Sequence, residues 1–241
     1  MNKAKLAAWG CGVALSAGAL TASTAAGGVA AALDGPGSAR FDNPKQNPYF
    51  PLKPGTVTRY RGSDEGEQFR ETVTVTHKKR TIQGVHTTVI HDVLRRADGS
   101  LAEKTHDWYA ADNNGNVWYF GEKTATYDEQ GNVDSREGSW QAGKHGAVAG
   151  LIMPTDPKPT NAYRQEYYKG HAEDQAWIVQ RYATVTVPYG TFHNVVRSFE
   201  WTRLEKGVVS LKLYAPGIGI VSEQDLAGGS EVFDLVSVTH R

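Results

Sequence analysis

Asp112-Asn113-Asn114-Gly115-Asn116-Val117 and its near-copy Asp128-Glu129-Gln130-Gly131-Asn132-Val133 decide how this chain folds. An earlier turn signal, Asp98-Gly99, stands at the same 16-residue spacing, so Gly99, Gly115 and Gly131 punctuate the chain evenly. Gly, Asn and Asp accept the positive φ that tight hairpin turns require, and here they separate extended runs. Residues 85–140 therefore read as an antiparallel meander of strands of similar length.

The pattern continues outward on both sides. Lys53-Pro54-Gly55 turns into a strand over 56–61, and 71–77 alternates Thr and Val with the period of a half-buried strand. Three prolines over 153–159 interrupt the sheet and connect two halves. Beyond them, strands are expected over 183–187, 192–204, 208–214, 218–226 and 231–239, separated by Gly- and Pro-containing turns. Residues 173–181 are the one candidate for a short helix, although they could extend a strand. The fold class is all-β: an antiparallel meander forming a curved sheet or half-barrel, with at most one short helix.

The N-terminus reads as a targeting segment. Lys3 and Lys5 precede an apolar or small run over 6–26, no acidic residue comes before Asp34, and Ala30-Ala31-Ala32 offers a cleavage site. This divides the chain into a signal peptide (1–32), a Gly-, Pro- and Asp-rich disordered leader (33–48) and a single β domain (49–241), with possible halves 49–152 and 160–241. The mature protein is expected to be secreted or held in the periplasm or cell envelope, with no transmembrane segment. Cys11 is the only cysteine, so the mature chain has no disulfide framework, thiolate metal site or cysteine nucleophile. Lys and Arg total 26 against 26 Asp and Glu, and removing Lys3 and Lys5 leaves 24 against 26. That balance argues against nucleic acid or an anionic membrane as the main partner.

Several motifs carry a resemblance. They are Tyr49-Phe50-Pro51-Leu52-Lys53-Pro54-Gly55, Asp107-Trp108-Tyr109, Trp118-Tyr119-Phe120-Gly121-Glu122, Val187-Pro188-Tyr189-Gly190-Thr191-Phe192 and Leu213-Tyr214-Ala215-Pro216-Gly217-Ile218-Gly219-Ile220-Val221. Together they resemble a pattern in uncharacterised exported bacterial β-rich proteins, over most of the mature chain. Such sheets are similar in turn to the half-barrels of bacterial lipoprotein carriers, whose concave face holds an acyl chain. The resemblance implies an exported β sheet, and fold analogy alone transfers no function.

The turns also imply a register. With two-residue loops, Ala97 faces Ser100 and Asn113 faces Asn116, which sets His91 opposite His106, Val89 opposite Trp108, Asp107 opposite Glu122 and Tyr109 opposite Phe120. A third such loop at Gln130-Gly131 sets Thr124 opposite Glu137. Asp107, Glu122 and Glu137 then form an acidic row across three strands, with Tyr109, Trp118 and Phe120 on the same face. Like charges opposite one another cost a few tenths to about 1 kcal/mol, more where water is excluded. A raised pKa, Arg or Lys partners, or a bound cation must relieve them. The row is thus a candidate site for a divalent cation such as calcium, or for an acid and base acting on a sugar. A solvated face neutralised by Lys104, Lys123 and Arg136 is the plainer alternative. A three-residue loop with a bulge at Gly115 would shift the pairing by one and move Glu122 opposite His106.

Other candidates are less specific. His77, His91 and His106 on adjacent strands could hold a transition metal, or simply be hydrogen-bonded strand histidines. Glu173 and Asp174, near Tyr167, Tyr168 and Trp177, could favour a helix start or cap a pocket. No G-x-S-x-G elbow, phosphate-binding Walker loop or H-E-x-x-H occurs, and Gly217-Ile218-Gly219 opens no helix, so a dinucleotide fingerprint is excluded. The reading that results is an exported binding or carrier protein for a small apolar, glycan or metal-associated ligand. Tyr109, Trp118, Phe120, Glu173 and Asp174 are its ligand-binding candidates. The alternatives are a hydrolase using the paired carboxylates and a structural envelope protein without a ligand.

Overall fold

The computed structural model describes residues 35–159 and 162–241. The signal peptide assigned to 1–32 lies outside the described residues. Fifteen strands account for the regular structure: β1 (Thr56–Asp64), β2 (Glu67–Ile82), β3 (Val85–Arg96), β4 (Leu101–Ala111), β5 (Val117–Tyr127), β6 (Val133–Ser135), β7 (Trp140–Gln141), β8 (Val148–Met153), β9 (Tyr163–Arg164), β10 (Glu166–Tyr167), β11 (Asp174–Val187), β12 (Gly190–Thr202), β13 (Val209–Ala215), β14 (Gly219–Ala227) and β15 (Val232–His240). No helix occurs among the described residues. Of the stretch that could have been a short helix, 173–181, all but Glu173 belongs to β11, which pairs with β12 along its length.

All pairings are antiparallel, and thirteen strands follow one path, β10-β8-β5-β4-β3-β2-β1-β15-β14-β13-β12-β11-β9, with β6 and β7 attached to β5. The two ends of that path, β9 and β10, are neighbouring pieces of one short stretch. Tyr163 and Arg164 pair with β11, whereas Glu166 and Tyr167 pair with β8. The sheet is thus nearly closed into a barrel, with one seam bridged by residues 163–167 and otherwise unsealed. Gly150 permits the crossing, since a Cβ there would lie 2.3 Å from the Gln165 carbonyl.

The three turns that define the meander each differ from a two-residue loop in the same way. Arg96 N donates to Ser100 O, Asp112 N to Asn116 O, and Asp128 N to Asn132 O, so each loop has three residues with the glycine at positive φ (90°, 90° and 82°). One extra residue in the following strand then restores the register. The bulge after Asp98-Gly99 returns His91 opposite His106 and Val89 opposite Trp108. That after Asn114-Gly115 returns Asp107 opposite Glu122, but leaves Tyr109 opposite Tyr119 instead of Phe120.

Alternation sends one face of each strand inward. Along β4, Glu103, Thr105, Asp107 and Tyr109 are buried, whereas Lys104 and His106 between them are only half-buried. Tyr60, Val73, Ile90, Leu94, Tyr214 and Leu235 share the interior. The described part of the leader, 35–48, is not a free tail. Asn113 N donates to Arg40 O, Lys45 N to Asp112 O, and Gly217 N to Pro48 O, so the segment straps across one mouth of the barrel between two hairpin tips. Asn47 anchors it, donating from Nδ2 to Gly115 O and Met153 O while Oδ1 accepts from Tyr49 N and Phe50 N. A segment poor in hydrophobic residues is held here by backbone hydrogen bonds and by a few rings, Phe41 against Phe120 and Phe50 against Tyr109.

Candidate functional site

The interior holds an unusual excess of acid. Asp107, on β4, and Glu122, on β5, are directly opposite and almost inaccessible, at 0% and 3% exposure. Tyr119 Oη donates to Asp107 Oδ1 at 2.8 Å and stacks on Tyr109 with ring centroids 4.5 Å apart. Glu166 enters from the seam, fully buried, with both carboxyl oxygens outside hydrogen-bond geometry. The Trp140 indole N–H lies near enough to favour its ionised form without completing a hydrogen bond. Below this group, Glu103 Oε1 accepts from Thr105 and Thr124, and Asp92 and Glu71 complete the acidic wall. On the far side Glu200, Glu223 and Asp174 are buried with Lys212, the single buried cation among the described residues. Lys212 Nζ lies 3.2 Å from Glu223 and 3.5 Å from Glu200, which also accepts from Ser198 and Tyr214.

One ammonium cannot neutralise so many carboxylates, so the group protonates instead. Burial raises Asp107, Glu122 and Glu71 well above the usual carboxylate range, and their neighbours' charges add to it. Burial likewise pushes Glu166 up to about 8, and Glu103, Asp174 and Glu223 each to about 7. Burial alone would lower Lys212, but Glu223 and Glu200 outweigh it and hold the ammonium charged. Raised pKa values, the first of the three forms of relief open to opposed carboxylates, are thus the form found here.

The sequence candidates are only partly brought together. Asp107 and Glu122 pair as expected. Glu137 does not join them, because the β5–β6 ladder ends after Thr126–Ser135 and Glu137 sits exposed in the turn before β7. Thr124 N instead meets Ser139 Oγ. Among the described residues, no group of three or more His, Asp or Glu converges as an ion cage. The bulge at Gly121 also moves two aromatics off the acidic face. Trp118 pairs with Ala110 on the other face and donates from Nε1 to Asp112, and Phe120 packs on Phe41. Glu173 accepts from Gly170 N in a turn, while Asp174 opens β11 opposite Thr202, facing inward. His91 and His106 stack at 4.6 Å with His77 exposed, and face-to-face rings present no shared ligand position. Burial, His91 and the Lys104, Lys78 and Lys123 charges lower His106 to about 4.

Open space is present at the strapped mouth. A cleft of about 140 Å³ runs between the strap and the barrel rim. Phe41, Pro44, Phe50, Leu52, Ala110 and Ala111 line it with apolar groups, and Lys45, Gln46, Asn47, Lys79, His86 and Thr88 with polar ones. Lys79 Nζ donates to Thr88 Oγ1 at 2.7 Å. Beneath it, Phe50 and Tyr109 stand between the cleft and the buried carboxylates, Tyr109 being 1% exposed. Sequence reading missed the cleft because half of it is the strap, whose composition gives no sign that it folds back on the rim.

No family model matches the chain, and neither does any curated protein. Two solved structures are similar in architecture. One, from Bacteroides fragilis, is described as an exported protein with a YmcC-like fold. It is 16% identical over 79% of this chain and 98% of its own, with a TM-score of 0.46. The other, from Parabacteroides distasonis, is described as a lipoprotein and is 13% identical over 81% and 100%, with a TM-score of 0.44. A likeness at this level carries neither a ligand nor an activity to this chain.

Proposed function

We propose that the protein is an exported binding module that takes a small, mainly apolar ligand with an anionic end at its strapped mouth. It would carry that ligand within the envelope or outside the cell. The cleft between strap and rim carries the reading: a concave pocket lined by apolar and polar side chains in equal number suits a small ligand with an apolar body and a polar end. Its volume suits about one aromatic ring or the end of an acyl chain. Lys45 and Lys79 stand where an anionic group would leave the cleft. The paired carboxylates favour the hydrolase reading less, because Phe50 and Tyr109 shield them from the mouth.

Displacement of a fluorescent fatty acid by decanoate tests this. Saturable displacement is expected, lost in Ala111→Trp, which fills the cleft, and weakened roughly tenfold in Lys79→Glu, about the 1.4 kcal/mol of one charge-assisted contact. Displacement that Ala111→Trp leaves untouched would place binding elsewhere, and none at millimolar decanoate would end the proposal. A calcium titration of the same protein, with Glu122→Gln as control, tests the cation reading of Asp107 and Glu122. A saturable rise in melting temperature lost in the variant would support it.

A further inference from the structure

The sequence is formally neutral, but its acids and bases are not distributed alike. Residues 35–241 contain 25 Asp and Glu and 24 Lys and Arg. Twelve of the acids are buried, from Asp64 to Glu231, against one base, Lys212. That leaves 13 acidic side chains facing water and 23 basic ones. The outer surface is therefore strongly cationic.

The positive charge is concentrated on the outer wall of β1–β5. Arg61, Arg70 and Arg95 are directly opposite one another on three successive strands, all exposed. Neighbouring strands are about 4.8 Å apart, so three guanidinium-bearing positions fall within about 10 Å. Opposed like charges are unfavourable in a sheet unless something anionic lies over them. The next row up carries Arg59 and Lys104 at its two sides, with Thr72 and Val93 between. The row beyond holds His91, His106 and Lys123. Lys78 is close enough, with Lys104, to disfavour a proton on either histidine.

Counter-charge within the rows is sparse, the exposed acids Glu65, Glu67 and Asp98 lying at the adjoining hairpin tips. Asp234 on β15, opposite Arg61, is the one carboxylate at a paired outer position here, and none of these cations forms an ion pair among the described residues. The exposed large hydrophobics, Val133, Trp177, Tyr182, Tyr189, Leu226 and Val232, are not in these rows. Surfaces that settle on a membrane combine cations with inserted apolar side chains, which this wall lacks. Arginine prefers planar carboxylate or tetrahedral sulfate and phosphate groups, which it meets through two parallel hydrogen bonds.

We propose that the outer wall of β1–β5 is a docking surface for an anionic polysaccharide, whose repeating carboxylate or sulfate groups lie along the Arg61–Arg70–Arg95 row and the Lys104 and Lys123 positions above it. The near-balance of charge over the whole chain does not describe its surface, because burial hides the acids and leaves the bases outside. This surface is on the opposite face of the sheet from the buried carboxylates and is independent of the mouth cleft.

Anisotropy titrations of the full mature chain with fluorescein-labelled heparin and alginate test the proposal, with neutral dextran, anionic phosphatidylglycerol vesicles and duplex DNA alongside. Both anionic polysaccharides should bind at 50 mM NaCl and weaken steeply by 500 mM, since exposed charges are screened. Dextran should not bind. The triple variant Arg61→Gln, Arg70→Gln, Arg95→Gln should weaken heparin at least tenfold while its melting temperature stays level or rises. Removing three exposed cations elsewhere, with Lys169→Gln, Arg203→Gln and Lys206→Gln, should weaken it less than threefold. Equal losses in the two triple variants would overturn the proposal, as would vesicles or DNA binding where the polysaccharides do not.

Discussion

Two opposed carboxylates shielded from water cannot both stay charged, and the surroundings of Asp107 and Glu122 decide which one holds the proton. Tyr119 donates to Asp107 and favours its anion, whereas Glu122 faces the charges of Asp107 and Glu166. Both are raised by burial, and Glu122 is held protonated the more firmly, so Gln imitates it without the option of ionising. Glu122→Gln should leave stability unchanged at pH 5 and raise the melting temperature by roughly 3–5 °C at pH 8, about 1–2 kcal/mol for a chain of this size. A loss at pH 8, read by scanning calorimetry, would mean that Glu122 is needed as the anion. The turn positions pointed to the Asp107–Glu122 pair, but a three-residue loop and a bulge that offsets it are what bring the two together. The Glu166 that joins it was not legible in the sequence, since it arrives across the seam from residues far along the chain.

Among the elements, the meander strands were legible because turn glycines and period-two alternation are local signals. The compensating bulges were not. A three-residue loop changes the register by one, and only the inward demand of buried side chains on both strands forces an extra residue to restore it. Gly121 is where that demand is most exacting: its φ is 124°, and a Cβ would lie 2.4 Å from Trp140 O on β7. Gly121→Ala should cost roughly 3 kcal/mol and lower the melting temperature by roughly 10 °C. A shift below about 2 °C in a thermal melt would show that β7 can move aside. The same bulge explains why Trp118 and Phe120, placed on the acidic face by strict alternation, lie elsewhere.

For the whole molecule, the acidic interior reverses the usual effect of pH. A carboxyl whose pKa is raised in the folded state contributes stability that is complete below the unfolded value near 4 and is lost as pH rises through the folded one. Glu103, Asp174 and Glu223 at about 7 and Glu166 at about 8 set the window between pH 4 and 8. The melting temperature should therefore fall from pH 5 to pH 8. Each proton held only by the fold contributes about 1.4 kcal/mol per pH unit, so two such protons give a slope of roughly 5–10 °C per unit. A melting temperature that rises over this range would show that the carboxylates are ionised and paired by something else.

The amino-acid sequence alone determined an all-β antiparallel chain and the places where its hairpins turn. Those follow from backbone preferences and alternation, which act over a few residues. The His91–His106 and Asp107–Glu122 pairings hold only because a bulge in the following strand offsets each three-residue loop. Tertiary structure alone decided that the sheet curls almost shut, that the leader straps the mouth to form a cleft, that Glu137 stays outside, and that the acids face inward while the bases face water. These outcomes depend on which distant strands meet, and so on burial, which no local pattern encodes.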